Sequence, residues 1–175
     1  MLTGIGQGYT LSTPLQLASA TATMATDGMR LKPQLVGIVE DPANGEQQLQ
    51  EAELVDQVEL SDPSHWDYIQ NAMMEVVHTT HGSARGASWG LKYKMAGKTG
   101  TAQVFGIKED EEYNAEELEK RLRDHALFIA YAPVEAPRIA LAVIVENGGG
   151  GGSVAAPIAR KVIDHFMLKT PVIDP

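Results

Sequence analysis

The chain has 175 residues, 43% of them hydrophobic, with a formal net charge of -9 at pH 7. That length supports one domain with a core of ordinary size, and the acidic balance excludes the basic face that a nucleic-acid binder needs. The absence of cysteine removes disulfides and thiolate metal sites. No run reaches the roughly 18–20 apolar residues of a membrane span, and Met1 is followed by no signal-peptide pattern, so any export or anchoring is expected to be encoded upstream.

The first predicted element is a helix. Thr13 can cap it, Pro14 suits its first position and Gln16 completes a capping box. Leu15, Ala18, Ala22 and Ala25 then share one face, mostly of small residues suited to close packing, and Gly28 stops the run. Gln34 to Glu40 reads as a strand. Asp41-Pro42-Ala43-Asn44-Gly45 is a turn cluster leading to Gln47–Gln50, a short hairpin in a polar, peripheral stretch that ends near Leu60.

Asp62-Pro63 opens a second capped helix with Trp66, Ile69, Met73 and Val76 as its apolar stripe and Gly82 at its end. A Gly/Ser loop, Gly82 to Gly90, feeds a strand from Leu91 to Val104. Asn114 to Arg123 reads as a polar surface helix with a capping box from Asn114 and Glu117. Three ion pairs spaced i,i+4 support it: Glu116 with Lys120, Glu117 with Arg121 and Glu119 with Arg123. Ala126–Ala132 and Ile139–Val145 are nearly unbroken apolar runs, expected as central antiparallel neighbours covered on both faces. After Gly148–Gly152, Ser153 would cap a last helix with Ala155, Ile158, Val162 and Phe166 on its inner face. The expected architecture is α/β in the layered α+β sense: an antiparallel sheet of at least three strands with packed helices.

Lys98-Thr99-Gly100-Thr101 is the most chemically informative stretch. Lys-Thr-Gly on a strand is one of three elements of a serine acyl-transfer site; the others are Ser-x-x-Lys, carrying the nucleophile, and Ser-x-Asn, which relays protons. No serine here has Lys three places on or Asn two places on. Serine acyl transfer needs easier proton removal and donors aimed at the developing oxyanion. Lys98 offers a cation beside a nucleophile and an anionic substrate group. Thr99 can bond a substrate carboxylate, and Gly100 lets a substrate backbone lie alongside as an added strand. Thr101 can lend its backbone N–H to an oxyanion hole.

Gly4-Ile5-Gly6-Gln7-Gly8-Tyr9 with Thr13-Pro14-Leu15-Gln16, and Ala96-Gly97-Lys98-Thr99-Gly100-Thr101-Ala102-Gln103-Val104-Phe105, resemble class B penicillin-binding proteins. Tyr113-Asn114, Arg121-Leu122-Arg123-Asp124-His125, Ala132-Pro133 and Glu146-Asn147-Gly148-Gly149 are similar to the elongation-specific type, penicillin-binding protein 2. The resemblance covers nearly the whole chain. It implies a partial transpeptidase fold contributing the last three of five sheet strands. The pedestal domain, inner-membrane anchor and both serine motifs would then lie before Met1.

By the same resemblance, the full protein is a periplasmic D,D-transpeptidase that cross-links peptidoglycan stem peptides ending in D-Ala-D-Ala and is a target of β-lactams. Its implied partners are a SEDS-family glycan polymerase and rod-shape scaffold proteins; no cofactor and no metal are implied. The resemblance makes Lys98 and Thr101 the catalytic contributors and Thr99 and Gly100 the substrate contacts. Residues 1–175 alone are expected to form no penicilloyl adduct, and the bare edge of Ile139–Val145 is expected to invite dimerisation. The septal paralogue, or a non-catalytic scaffold module with the same fold, would present similar residues.

Several other features have plainer readings. Gly148–Gly152 mimics a phosphate loop but lacks the Gly-Lys-Ser/Thr ending, so it is expected to be a flexible connector. His78 and His81 read as exposed residues at a helix end, and His125 as a structural hydrogen-bonder. Trp66 and Trp89 are expected in packing, with Trp89 also near a cleft, and the acidic run Glu109–Glu112 as a solvated loop.

Overall fold

A computed structural model describes residues 11–104 and 119–169. The Gly4–Tyr9 segment, the first half of the Asn114–Arg123 stretch and the acidic run Glu109–Glu112 lie outside the described residues. Thr13 caps α1 (Pro14–Ala25) as expected: its hydroxyl accepts the Gln16 N–H at 3.2 Å while its own N–H donates to Gln16 Oε1 at 2.8 Å. The buried members of α1 are Thr21 and Ala25. Thr21 stays buried because its hydroxyl donates to Leu17 O at 2.7 Å.

The stretch after α1 folds into two separate antiparallel ribbons. β1 (Met29–Leu31) pairs with β4 (Leu54–Gln57), and β2 (Ile38–Glu40) pairs with β3 (Gln47–Leu49). The expected hairpin is present, but the expected strand Gln34–Glu40 is shortened to its last three residues. The Gly37 carbonyl takes the Gln50 N–H at 2.8 Å as the last bond of that ribbon, and no strand pairs with residues 34–36 among the described residues. Every residue of β1 to β4 is exposed, so the stretch is peripheral, as the sequence implies.

α2 (Ser64–His78) starts differently from the expectation. Pro63 is its N-cap without a side-chain bond. Asp62 accepts instead from the Ser64 hydroxyl at 2.7 Å and the Ser64 N–H at 2.9 Å, which together hold its carboxyl below the ordinary carboxylate range. Met73 and Val77 are the buried members of α2, so the stripe turns one residue past the expected Val76.

The main sheet is three-stranded, in the order β5 (Ala96–Ala102), β6 (His125–Ala132), β7 (Ile139–Val145), antiparallel throughout. β6 is central, and Ala126, Phe128, Ala130, Tyr131 and Ala132 are fully buried. β7 is an edge among the described residues, the bare edge that the resemblance implies for Ile139–Val145, and it is half-buried along its length rather than covered on both faces like β6. Alternation divides the sheet into two faces.

On one face, Phe128, Ala126 and Ala130 pack with Val77, Met95 and α3 (Ala156–Lys169), whose Ala156, Ala159 and Ile163 are fully buried. Fully burying Phe128 or Ile163 contributes about 1.5–3 kcal/mol each. On the other face, α1 and α2 close over Ala96 and Tyr131, with Ala25 and Met73 in the same cluster. Leu127 and Ile129, further along that face, remain half-buried.

α3 is entered through a single π-turn, Gly151–Ala155, and Ser153 does not cap it; its hydroxyl bonds back to Gly150 O. The inner face is Ala155, Ala156, Ala159 and Ile163, while the expected Ile158 and Val162 are 41% and 47% exposed. Three alanines let the helix approach the sheet closely around Ile163, and Ile158 and Val162 fall outside. The described end of the expected polar helix is a short 3₁₀ turn, Lys120–Leu122, in which Glu119 pairs with Arg121 at 2.7 Å rather than with Arg123. No helix among the described residues is long and apolar enough to cross a membrane.

Candidate active site

β5 carries Lys98, Thr99, Gly100 and Thr101, opposite Ile129, Phe128, Leu127 and Ala126 of β6. Its other edge pairs with no strand among the described residues. Lys98 and Gly100 therefore point to the face of half-buried Ile129 and Leu127, and Thr99 and Thr101 to the face of α3. Lys98 is exposed, its Nζ donating to Thr99 O at 2.7 Å. Thr101 is exposed as well. Thr99 is half-buried, with Oγ1 2.8 Å from the Ser83 hydroxyl.

The start of β5 is anchored by α2. His78 Nε2 accepts the Met95 N–H at 3.2 Å, so this exposed histidine serves a buried backbone donor. At the other end, His125 Nδ1 accepts the Asn147 N–H at 2.9 Å, the structural role its position suggests. Asn147, at φ +54, also donates through its side chain to Arg121 O and Arg123 O, tying the return segment before β6 to the end of β7.

Gly148–Gly152 is no loose connector. A Cβ on Gly151 would lie 2.3 Å from Leu127 O and 2.6 Å from Gly100 O; one on Gly152 would lie 2.0 Å from Ser83 O and 3.5 Å from Thr99 Cγ2. The backbone entering α3 is thus pressed against the Lys-Thr-Gly strand at a distance only glycine permits.

The loop before β5 is held from α3 as well. Arg160 donates to Ala87 O at 2.9 Å and also to Trp89 O, and pairs with Asp164 at 2.9 Å; Asp164 in turn accepts the Tyr93 hydroxyl at 2.8 Å. Burial first, then the Asp164 bond and charge, push the Tyr93 hydroxyl well above its ordinary value. Trp89 contributes only its carbonyl; its residue is 75% exposed, so it is not the packing residue expected, whereas Trp66 is half-buried beside Gly28.

The sequence signals did bring Lys98 to Thr101 together on one strand. They missed Ser83, Gly151 and Gly152. A serine within a Gly/Ser loop and glycines within a Gly run carry no spacing rule that would tie them to Thr99 and Gly100. No group of three or more metal-ligating side chains is placed to hold an ion among the described residues.

A family model of the penicillin-binding protein transpeptidase domain matches residues 1–164. The chain belongs to that family. It is 42% identical over 164 residues to a peptidoglycan D,D-transpeptidase MrdA of Haemophilus influenzae and 37% identical over 172 residues to that of Escherichia coli K12, in each case over 94% of this chain. Against those curated relatives it spans 25% and 26% of their length.

Among solved members of the family, it resembles Pseudomonas aeruginosa PBP2 in complex with WCK 5153, with a TM-score of 0.76 and 38% identity over 96% of this chain and 33% of that one. It also resembles the imipenem acyl-enzyme of Mycobacterium tuberculosis penicillin-binding protein A, with a TM-score of 0.72 and 29% identity over 95% of this chain and 33% of that one. A third likeness is the Helicobacter pylori PBP2–MreC complex, with a TM-score of 0.72 and 28% identity over 96% of this chain and 27% of that one.

Proposed function

We propose that this chain is the C-terminal portion of the transpeptidase domain of an elongation-type peptidoglycan D,D-transpeptidase. The site it helps to build would cleave stem peptides ending in D-Ala-D-Ala, join them to a neighbouring strand and be acylated by β-lactams. The observation that carries this reading is the edge of β5, unpaired among the described residues and bearing Lys98, Thr99, Gly100 and Thr101, in a chain 36–42% identical to MrdA relatives.

A substrate backbone would lie along that edge as an added strand, with Gly100 leaving it room. Thr99 would take the terminal carboxylate and the Thr101 N–H the oxyanion. Lys98 would favour deprotonation of a serine supplied by a segment of the whole protein outside these residues. The whole protein would work in the periplasm on an inner-membrane anchor, with a SEDS glycan polymerase and rod-shape scaffold proteins. The Helicobacter relative in complex with MreC supports the scaffold part of that reading.

Incubation of the full-length gene product and of residues 1–175 with benzylpenicillin, followed by intact-mass measurement, tests it. One penicilloyl group on the full-length protein and none on the short chain is expected. An unmodified full-length protein would sink the enzymatic reading; an adduct on the short chain would show that the nucleophile lies within it. The edges of β5 and β7, bare among the described residues, would also make the short chain associate, and a monodisperse monomer by light scattering would count against that.

A further inference from the structure

We infer that Ser83 is a positioning residue for Thr99: its hydroxyl donates into Thr99 Oγ1 and so keeps the Thr99 proton free for a substrate carboxylate. This rests on the transpeptidase reading and sharpens it to one polar group.

The two oxygens are 2.8 Å apart, and either can be the donor by geometry alone. Chemistry separates the two cases. A hydroxyl has one proton and two lone pairs. A carboxylate only accepts, so Thr99 can serve it only if its single proton is not already committed to Ser83. Donation from Ser83 leaves that proton free and polarises the Thr99 O–H, strengthening its bond to an anion. The described residues give Ser83 Oγ no other hydrogen bond, so its proton has one protein destination.

The pair is also built rather than incidental. The Ser83 backbone is held between two elements. From the α2 side, Gly82 N–H bonds Thr79 O at 3.2 Å and Ala84 N–H bonds Val76 O at 3.0 Å. From the α3 side, Gly152 is pressed so close that any Cβ would sit 2.0 Å from Ser83 O and 3.5 Å from Thr99 Cγ2. Arg160 fixes the same loop through Ala87 O. A serine needed only as loop filler has no reason to be clamped from both sides with its hydroxyl on the strand's threonine.

The test uses the full-length protein, with Ser83→Ala and Ser83→Thr, and second-order acylation rates for two ligands: benzylpenicillin, which carries the carboxylate, and its methyl ester, which does not. Ser83→Ala should slow benzylpenicillin by about tenfold, leave the ester rate unchanged and leave the thermal midpoint within about 2 °C. Ser83→Thr should recover most of the loss, and in a Thr99→Val background Ser83→Ala should cost nothing further.

An unchanged benzylpenicillin rate in Ser83→Ala, or an equal loss on both ligands, would overturn the inference while leaving the transpeptidase reading intact. If wild-type protein forms no adduct at all, that reading falls and this inference with it. Should Ser83→Ala fail to fold, Ser83→Cys, close in size but a weak donor, carries the same ligand-selective expectation.

Discussion

The Lys98 strand and the two-ribbon arm between Met29 and Val58 differ in what their neighbours do. Around β5, apolar side chains are swallowed between sheet and α3, and the backbones of Gly100, Leu127 and Gly151 come within van der Waals limits of one another. In the arm, Leu31, Leu35, Val36, Ile38, Val39, Leu49, Leu54 and Val55 are 44–105% exposed, and a Cβ on Gly37 or Gly45 would meet nothing within 4 Å. Two-stranded ribbons bury little of their own. The contrast says where the sequence is tightly constrained by packing: at the strand that bears Lys98 to Thr101, not at the arm.

That contrast can be broken most severely with a single methyl group. Gly151→Ala would drive Cβ into Leu127 O and Gly100 O, displacing the entry to α3 or the strand beneath it. In the full-length protein, penicillin acylation should fall by about 100-fold or more, the usual cost of an ångström-scale misplacement. Gly37→Ala should leave both acylation and stability, within about 0.5 kcal/mol, unchanged. Normal acylation by Gly151→Ala would mean that the glycine contact does not shape the site.

Core deletion gives a smaller difference of the same sign. Ile163 is fully buried against the sheet, and Ile163→Ala should cost about 2–5 kcal/mol in denaturant unfolding. Leu35, fully exposed in the arm, should tolerate Leu35→Ala within about 0.5 kcal/mol. Comparable losses at the two positions would show that the arm is packed in the working protein.

Polar substitutions sharpen the comparison at the low end. His78→Leu strips the acceptor from the Met95 N–H, a backbone donor at a residue with no exposed surface, and should lower stability by about 1–3 kcal/mol. The Lys32–Glu53 pair in the arm is also short, at 2.7 Å, but both side chains are more than half exposed. Lys32→Met should cost under about 1 kcal/mol, and less in high salt. An equal cost for the two, measured by urea midpoints, would remove the distinction between them.

How much of this was legible in the sequence follows from the same physics. The α1 cap was readable because Thr13, Pro14 and Gln16 act over three residues. β6 and the β6–β7 pairing were readable because long apolar runs with a short connection leave few alternatives. The ribbons were half missed, since β1 and β4 pair across some 25 residues and nothing local to Met29–Leu31 announces a partner. The α3 face was misread because apolar periodicity favours the bulky Ile158 and Val162, whereas the sheet accepts Ala156 and Ala159. At the site, Lys98 to Thr101 were visible as a motif, while Ser83 and Gly152 become partners of Thr99 only through the fold.

On the proposed reading, the edge of β5 left unpaired among the described residues forms one wall of an acyl-transfer cleft, with Lys98 beside the attacking hydroxyl. Lys98 is exposed, so Lys98→Met should leave stability within about 0.5 kcal/mol. The most direct test is the second-order rate of benzylpenicillin acylation in full-length Lys98→Met against wild type. A fall of about 10²–10⁴-fold at an unchanged thermal midpoint is expected; acylation at the wild-type rate would contradict the claim.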